Sequence, residues 1–170
     1  HRPSRFVDVC LGDSVELQGY AYGAGPAYSA QWSPYQGLSD STVFNPKASP
    51  VLTTDYVLVA WSNGCPSYGD TVTVRVHTLP TVDAGPDVDV CFEQISQLDG
   101  EAWGDPTSPG YYYYWWPTAG FVGSNQVENP LISPDTTRMY YVIATSVYGC
   151  ESNVDSVLAT LRPTPQAEAG

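Results

Sequence analysis

Residues 32–38 read WSPYQGL and residues 115–121 read WWPTAGF, with Trp, Pro and Gly at the same offsets and Leu38 opposite Phe121. Further on, NPKASPVLTTDY (45–56) returns as NPLISPDTTRMY (129–140) and SNGC returns as VYGC. Asp70 before TVTV returns as Asp155 before SVLA, and LPTVDAG (79–85) returns as TPQAEAG (164–170). Matching blocks in one order, spaced by about 81 to 85 residues, mark a duplicated unit, and duplication limits the fold to something that closes twice within one chain of 170 residues. The copies are expected at 1–79 and 80–163, with 164–170 a linker towards a further repeat, so that the chain reads as an excerpt of a longer array.

Within each copy the apolar pattern has a period of two. TVTVRV sets Val72, Val74 and Val76 on one face, and SVELQ sets Val15 and Leu17 together. Asn-Gly, Ser-Pro and Gly-Asp pairs punctuate these runs, and no helical periodicity is sustained. Seven or so short strands in about 80 residues predict an all-β chain of two tandem immunoglobulin-like β-sandwich domains. Trp32 and Trp115 then belong to the two cores.

Charge narrows the partners. Six Lys and Arg against 18 Asp and Glu leave a formal charge of −12, which argues against nucleic acid and against an anionic membrane. No apolar run approaches the roughly 20 residues of a membrane span, so direct membrane insertion is not expected. There is no initiator Met, signal peptide or lipid motif in the sequence. The signatures of hydrolytic catalysis are missing too: His1 is terminal, His77 ends a strand pattern, and neither G-x-S-x-G nor H-E-x-x-H occurs. An enzyme is not expected.

Four cysteines fall two to a copy, Cys10 with Cys65 and Cys91 with Cys150. Three connectivities are open. Equivalent positions in two copies of one fold should pair within each copy, and each bond would then close a loop worth roughly 4 kcal/mol in the chain-entropy account. A metal site competes, but no CxxC spacing is present. Disulfides imply an oxidising, extracytoplasmic compartment.

The stretches VCLGDSVELQG, WSPYQGLSDSTVFNPKASPVLTTDYVLVAWSNGC, GDTVTV and PTVDAGPDVDVC resemble the tandem PKD-like, Ig-like repeats of Bacteroidota cell-surface proteins, gliding-motility adhesins among them. The second copy departs from that pattern at CFEQISQLDG and at its aromatic run. The resemblance implies export, commonly by type IX secretion, an extracellular place on the cell surface and a structural or adhesive role. It also draws attention to Asp-(Ser/Thr)-small triplets, the O-glycosylation signal of such proteins, here at Ser14, Ser41, Thr71, Thr136 and Ser156. The plainer reading is that Asp-Ser and Asp-Thr open strands after turns.

DAGPDVDV places Asp83, Asp87 and Asp89 at the join between copies, where Ca²⁺ could stiffen an array through oxygen ligands. The spacing is not that of a dedicated Ca²⁺ loop, and a solvated acidic linker explains it equally. No other cofactor and no metal ligand set is expected.

YYYYWW (111–116) is the feature without a counterpart. In a strand, neighbouring side chains leave opposite faces. If Trp115 matches the inward Trp32, then Tyr111, Tyr113 and Trp115 face the core and Tyr112, Tyr114 and Trp116 face out, where the first copy has Ser29, Gln31 and Ser33. In RMYYVIAT the outward residues include Tyr141 and Ile143. Adjacent strands would join Tyr112, Tyr114, Trp116, Tyr141 and Ile143 into one apolar patch of the kind that marks an interaction site. A covering loop or neighbouring repeat, a contact with other copies of the protein in a filament or surface layer, and a platform for surface glycans, with Asn125 and Gln126 as polar neighbours, are the three uses open to it. The expectation is a non-catalytic structural or adhesive module, with a carbohydrate-binding module as the alternative.

Overall fold

The computed structural model describes residues 5–23, 25 and 28–170. It separates into two compact units, His1–Thr78 and Leu79–Gly170. Among the described residues all regular structure is β.

In the first unit the strands are β1 (Arg5–Cys10), β2 (Val15–Glu16), β3 (Ser29–Ser33), β4 (Lys47–Ala48), β5 (Thr54–Ser62), β6 (Cys65–Pro66) and β7 (Asp70–His77). One sheet has the order β1-β7-β5-β3, with β6 hydrogen-bonded to the end of β5, and β2 pairs with β4 in a second. β1 runs parallel to β7 and the other pairs are antiparallel. The alternation in TDYVLVAWS explains β5: Tyr56, Leu58 and Ala60 are buried, and the residues between them are not.

The second unit contains β8 (Thr81–Asp83), β9 (Val88–Cys91), β10 (Ser96–Gln97), β11 (Glu101–Trp103), β12 (Tyr111–Trp116), β13 (Phe121–Val122), β14 (Leu131–Ile132), β15 (Arg138–Ser146) and β16 (Asp155–Arg162). Its main sheet, β12-β15-β16-β9, repeats the order and the parallel edge of the first. Opposite it lie β10-β14-β13 and the pair β8-β11. The core between these layers joins Trp115, Tyr140, Val142, Ala144, Val157 and Ala159 of the main sheet to Leu98, Ile132, Val82 and Ala84.

The duplicated residues do the same work in both units. The indole N–H of Trp32 donates to Val43 O (2.9 Å) and that of Trp115 to Val127 O (3.0 Å). The hydroxyl of Tyr56 donates to Gln36 O (2.7 Å) and that of Tyr140 to Ala119 O (2.9 Å). The neighbouring Gly37 and Gly120 have φ of 77° and 87°, and a Cβ there would meet the tyrosine oxygen at 2.9 and 2.5 Å. Asp8 pairs with His77 (2.7 Å) where Asp89 pairs with Arg162 (2.9 Å), tying each parallel edge strand to its neighbour.

The expected pairing of cysteines within each copy does not form. Cys65 and Cys91 are free, exposed thiols, and Cys10 and Cys150 are disulfide-bonded. Register gives the reason. Cys10 lies opposite His77, at the far end of β7 from Asp70; Asp70 lies opposite Leu58, and β5 runs on four residues to Ser62, opposite Cys65. Eleven strand residues therefore separate the levels of Cys10 and Cys65, about 36 Å of extended chain, whereas bridged Cα atoms lie within about 7 Å. In the second unit Cys91 is level with Arg162, while Cys150 lies beyond the opposite end of β16, its carbonyl accepting from Ser146 N–H (2.9 Å). Each sandwich carries one cysteine near each end.

Candidate interaction face

The hexad 111–116 forms the edge strand β12, and its side chains divide between two faces. Trp115 is wholly buried, and Tyr111 and Tyr113 pack against the core from partly buried positions. Tyr112 is 68% exposed and Tyr114 45%, with Trp116 half-buried between neighbours.

β15 completes the outer face. Tyr112 lies opposite Thr145, Tyr114 opposite Ile143, and Trp116 opposite Tyr141. Tyr114 stacks on Trp116 with ring centroids 6.0 Å apart, and Trp116 stacks on Tyr141 at 5.7 Å, the planes inclined by 23° and 20°. Each such contact contributes about 0.5–1.5 kcal/mol beyond the area it buries. Three rings are thus held in a row on the outside of a sheet. Met139, paired with Leu158 of β16, lies on the same face and lengthens the apolar strip. The alternation in RMYYVIAT points Met139 outward by the same parity as Tyr141, so the sequence carries that signal too.

In the first unit the corresponding face is different in kind. Ser29, Gln31 and Ser33 are exposed there and lie opposite Trp61, Val59 and Val57. One polar strand breaks up what would otherwise be an apolar surface.

Beneath the row, the inward tyrosines are tied down by polar contacts. The Tyr111 hydroxyl donates to Asp105 O (3.3 Å) and accepts from Asp105 N–H (3.1 Å). The Tyr113 hydroxyl donates to Glu128 Oε1 (3.3 Å). Burial, then the negative charge of Glu128, push the Tyr113 pKa up to about 12, so it stays neutral over the physiological range. Asn125 spends its side-chain amide on Trp115 O (2.7 Å), and its carbonyl accepts from Trp115 N–H (3.0 Å). It therefore serves β12 and not a ligand above it.

The other candidate positions are scattered. Ser14, Thr71, Thr136 and Ser156 are exposed; Ser41 is half-buried, its hydroxyl accepting from Gln31 (3.4 Å). The three acidic residues at the join are occupied separately. Asp83 accepts from Gly85 N–H (2.8 Å), Asp87 from Leu158 N–H (2.8 Å), and Asp89 pairs with Arg162. Among the described residues no group of three or more His, Cys, Asp or Glu is placed to hold a metal ion.

No family model matches the chain, and no curated protein does. Solved structures do resemble it. Extracellular domains 3–5 of Drosophila OTK align over 95% of this chain and 61% of theirs, with 13% identity and a TM-score of 0.55. The C-terminal 282-residue fragment of intimin, solved in complex with the intimin-binding domain of the translocated intimin receptor, aligns over 88% of this chain and 57% of its own, with 15% identity and a TM-score of 0.53. The chain spans about three-fifths of the length of each. At such identity the likeness is one of fold: the protein consists of tandem immunoglobulin-like β-sandwich domains.

Proposed function

We propose that the protein is a non-catalytic structural or adhesive module of an extracellular bacterial surface protein, and that it associates with further copies through Tyr112, Tyr114, Trp116, Tyr141 and Ile143. The observation that carries this reading is the exposed row Tyr114–Trp116–Tyr141, built on a face where the sister unit presents Ser29, Gln31 and Ser33. Stacking spends ring face on ring face, and Asn125 is already committed to Trp115. A sugar would find few free faces and few orienting polar groups; a flat apolar partner surface would find a preformed strip with little side-chain entropy left to lose. The fold is shared with extracellular domains of OTK and with a fragment of intimin bound to its receptor, which supports an adhesive use. With it goes export in the manner of Bacteroidota surface proteins, through type IX secretion, and O-glycosylation at exposed Ser14, Thr71, Thr136 or Ser156. The array itself is read as repeats at 1–79 and 80–163 with 164–170 leading onward.

Light scattering with negative-stain microscopy tests the association. Concentration-dependent oligomers or filaments that disappear in the Tyr114→Ser, Trp116→Ser double variant are expected. A wild-type monomer that binds surface glycans on an array would replace this reading with the carbohydrate-binding one. Intact mass of the exported protein above that of the bare sequence is expected from glycosylation, and an equal mass would remove that part.

A further inference from the structure

The second unit possesses a strand with no counterpart among the described residues of the first. β8 lies antiparallel to β11, with Val82 opposite Ala102, and buries Val82 and Ala84 in the core. Side chains of the same unit hold its backbone. Val82 N–H donates to Asn153 Oδ1 (3.1 Å), Asn153 Nδ2 donates to Val82 O (3.2 Å), and Ala84 N–H donates to Asp155 Oδ2 (2.8 Å). Gly85 follows at φ 79°, so close to Asp99 that a Cβ would overlap its carbonyl.

In the first unit the corresponding place is a cleft of about 960 Å³, lined by Leu17, Ala21, Trp32, Leu58, Tyr68 and Asp70 among others. Its walls are the repeat counterparts of what β8 packs on. Leu17, Trp32, Leu58 and Ala60 retain 2, 4, 8 and 9% exposure, whereas their counterparts Leu98, Trp115, Val142 and Ala144 have none. Asp70 stands where Asp155 holds Ala84. Tyr20, Ala21 and Tyr22 stand where β11 pairs with β8, yet they belong to no strand. Of the side chains that anchor β8 one is not reproduced, since Tyr68 replaces Asn153. The residues as far before Cys10 as β8 is before Cys91 are His1 to Ser4, which lie outside the described residues. They lack the apolar-acidic-Ala-Gly pattern, and Pro3 has no N–H for Asp70 to accept.

We propose that this cleft accepts residues 164–170 of a second copy as a donated β-strand. TPQAEAG repeats the pattern of LPTVDAG, with Ala167 at the place of Val82, Glu168 at Asp83, Ala169 at Ala84 and Gly170 at Gly85. In this chain those residues are exposed and in no strand. Strand addition along 20–22 supplies main-chain hydrogen bonds, and two small apolar side chains fill the uncovered core. A chain that both donates a tail and accepts one joins head to tail without closing, which builds a filament.

The cysteines give a second, separate pointer to the same junction. The bonded cysteines are one of each kind: Cys10 holds the place of Cys91, and Cys150 holds the place of Cys65. Free Cys91 of the donor copy and free Cys65 of the acceptor copy are the next such pair. Their two thiols form the bond by giving up two protons and two electrons to a small disulfide oxidant, which is reduced to two thiols.

The test is oxidation of the 170-residue chain by oxidised glutathione, read on non-reducing gels with peptide mapping. A ladder of covalent oligomers linked Cys91 to Cys65 is expected. Removal of 164–170, or the single change Ala169→Lys, should slow the ladder at least about tenfold through loss of the effective concentration that the seated strand provides. Both changes lie in an exposed tail, so unchanged melting temperatures will show that the fold is intact. The Tyr114→Ser, Trp116→Ser variant should form the ladder at the wild-type rate, which separates this junction from the aromatic face. Glutathione-capped monomers, like-with-like Cys65 dimers, or a ladder equally fast without the tail would each overturn the proposal.

Discussion

Trp116 stacks on Tyr141 across the β12–β15 pair, 5.7 Å between ring centroids, while its neighbour Trp115 is wholly buried with its indole N–H on the Val127 carbonyl. Two adjacent tryptophans therefore serve different ends. Trp115→Ala should cost about 3–5 kcal/mol of stability, as expected for a large core side chain. Trp116→Ala removes two ring stacks and should cost about 1–3 kcal/mol, while diminishing association. Urea unfolding of the two variants checks the contrast, and equal losses would mean that the face assignment is wrong.

Thiol counting separates the observed cysteine pattern from the repeat-based expectation. Unreduced protein denatured with a thiol reagent should show two reactive thiols, mapped to Cys65 and Cys91. Within-copy pairing would leave none. Cys65→Ser and Cys91→Ser should leave the melting temperature of the monomer unchanged.

The cysteines also show where the sequence is legible and where it is not. Strand parity, the buried Trp32 and Trp115, the division of YYYYWW and the adjacency of β12 to β15 all follow from a period of two and a repeat of known spacing, because these are local or alignment properties. Pairing of Cys10 depends on how many residues β5 extends beyond the start of β7, and no pattern in the sequence reports that stagger. The role of β8 was hidden for a similar reason. VDAG reads as an acidic linker until its two apolar residues are seen filling a core, and only then does the matching tail at 164–170 acquire a use. Asn125 shows a third limit, since its place beside the aromatic run gave no sign that its amide is spent on Trp115.

Acid should weaken the first unit through Asp8. Partial burial raises the pKa of Asp8, but its bonds to His77 and Arg75 outweigh that and hold it below the ordinary carboxylate range. A carboxyl lowered in the folded state contributes stability that is fully present above its unfolded value of about 3.9 and is lost as pH falls through the folded value. Wild type should therefore melt above Asp8→Asn at neutral pH, with the gap shrinking below about pH 4. Thermal melts from pH 7 to pH 3 check this, and a gap that persists through the acid range would contradict it.

The glycine beside each buried tyrosine should resist substitution. Gly120 combines φ of 87° with an approach that would set a Cβ 2.5 Å from the Tyr140 oxygen. Gly120→Ala is expected to cost about 2–4 kcal/mol, from backbone strain and displacement of the hydroxyl together. Tyr140→Phe, which only leaves the Ala119 carbonyl without its donor, should cost about 1–2 kcal/mol. Chemical denaturation of both variants gives the comparison.

Hydroxyl-radical footprinting of the protein in its assembled state, set against dilute monomer, bears most directly on the aromatic face. Tyr112, Tyr114, Trp116 and Tyr141 should become protected on assembly, while Trp61 of the first unit and the exposed Tyr68, away from that face, keep their labelling. Equal labelling of the four residues in both states would contradict the claim that this face joins one copy to another.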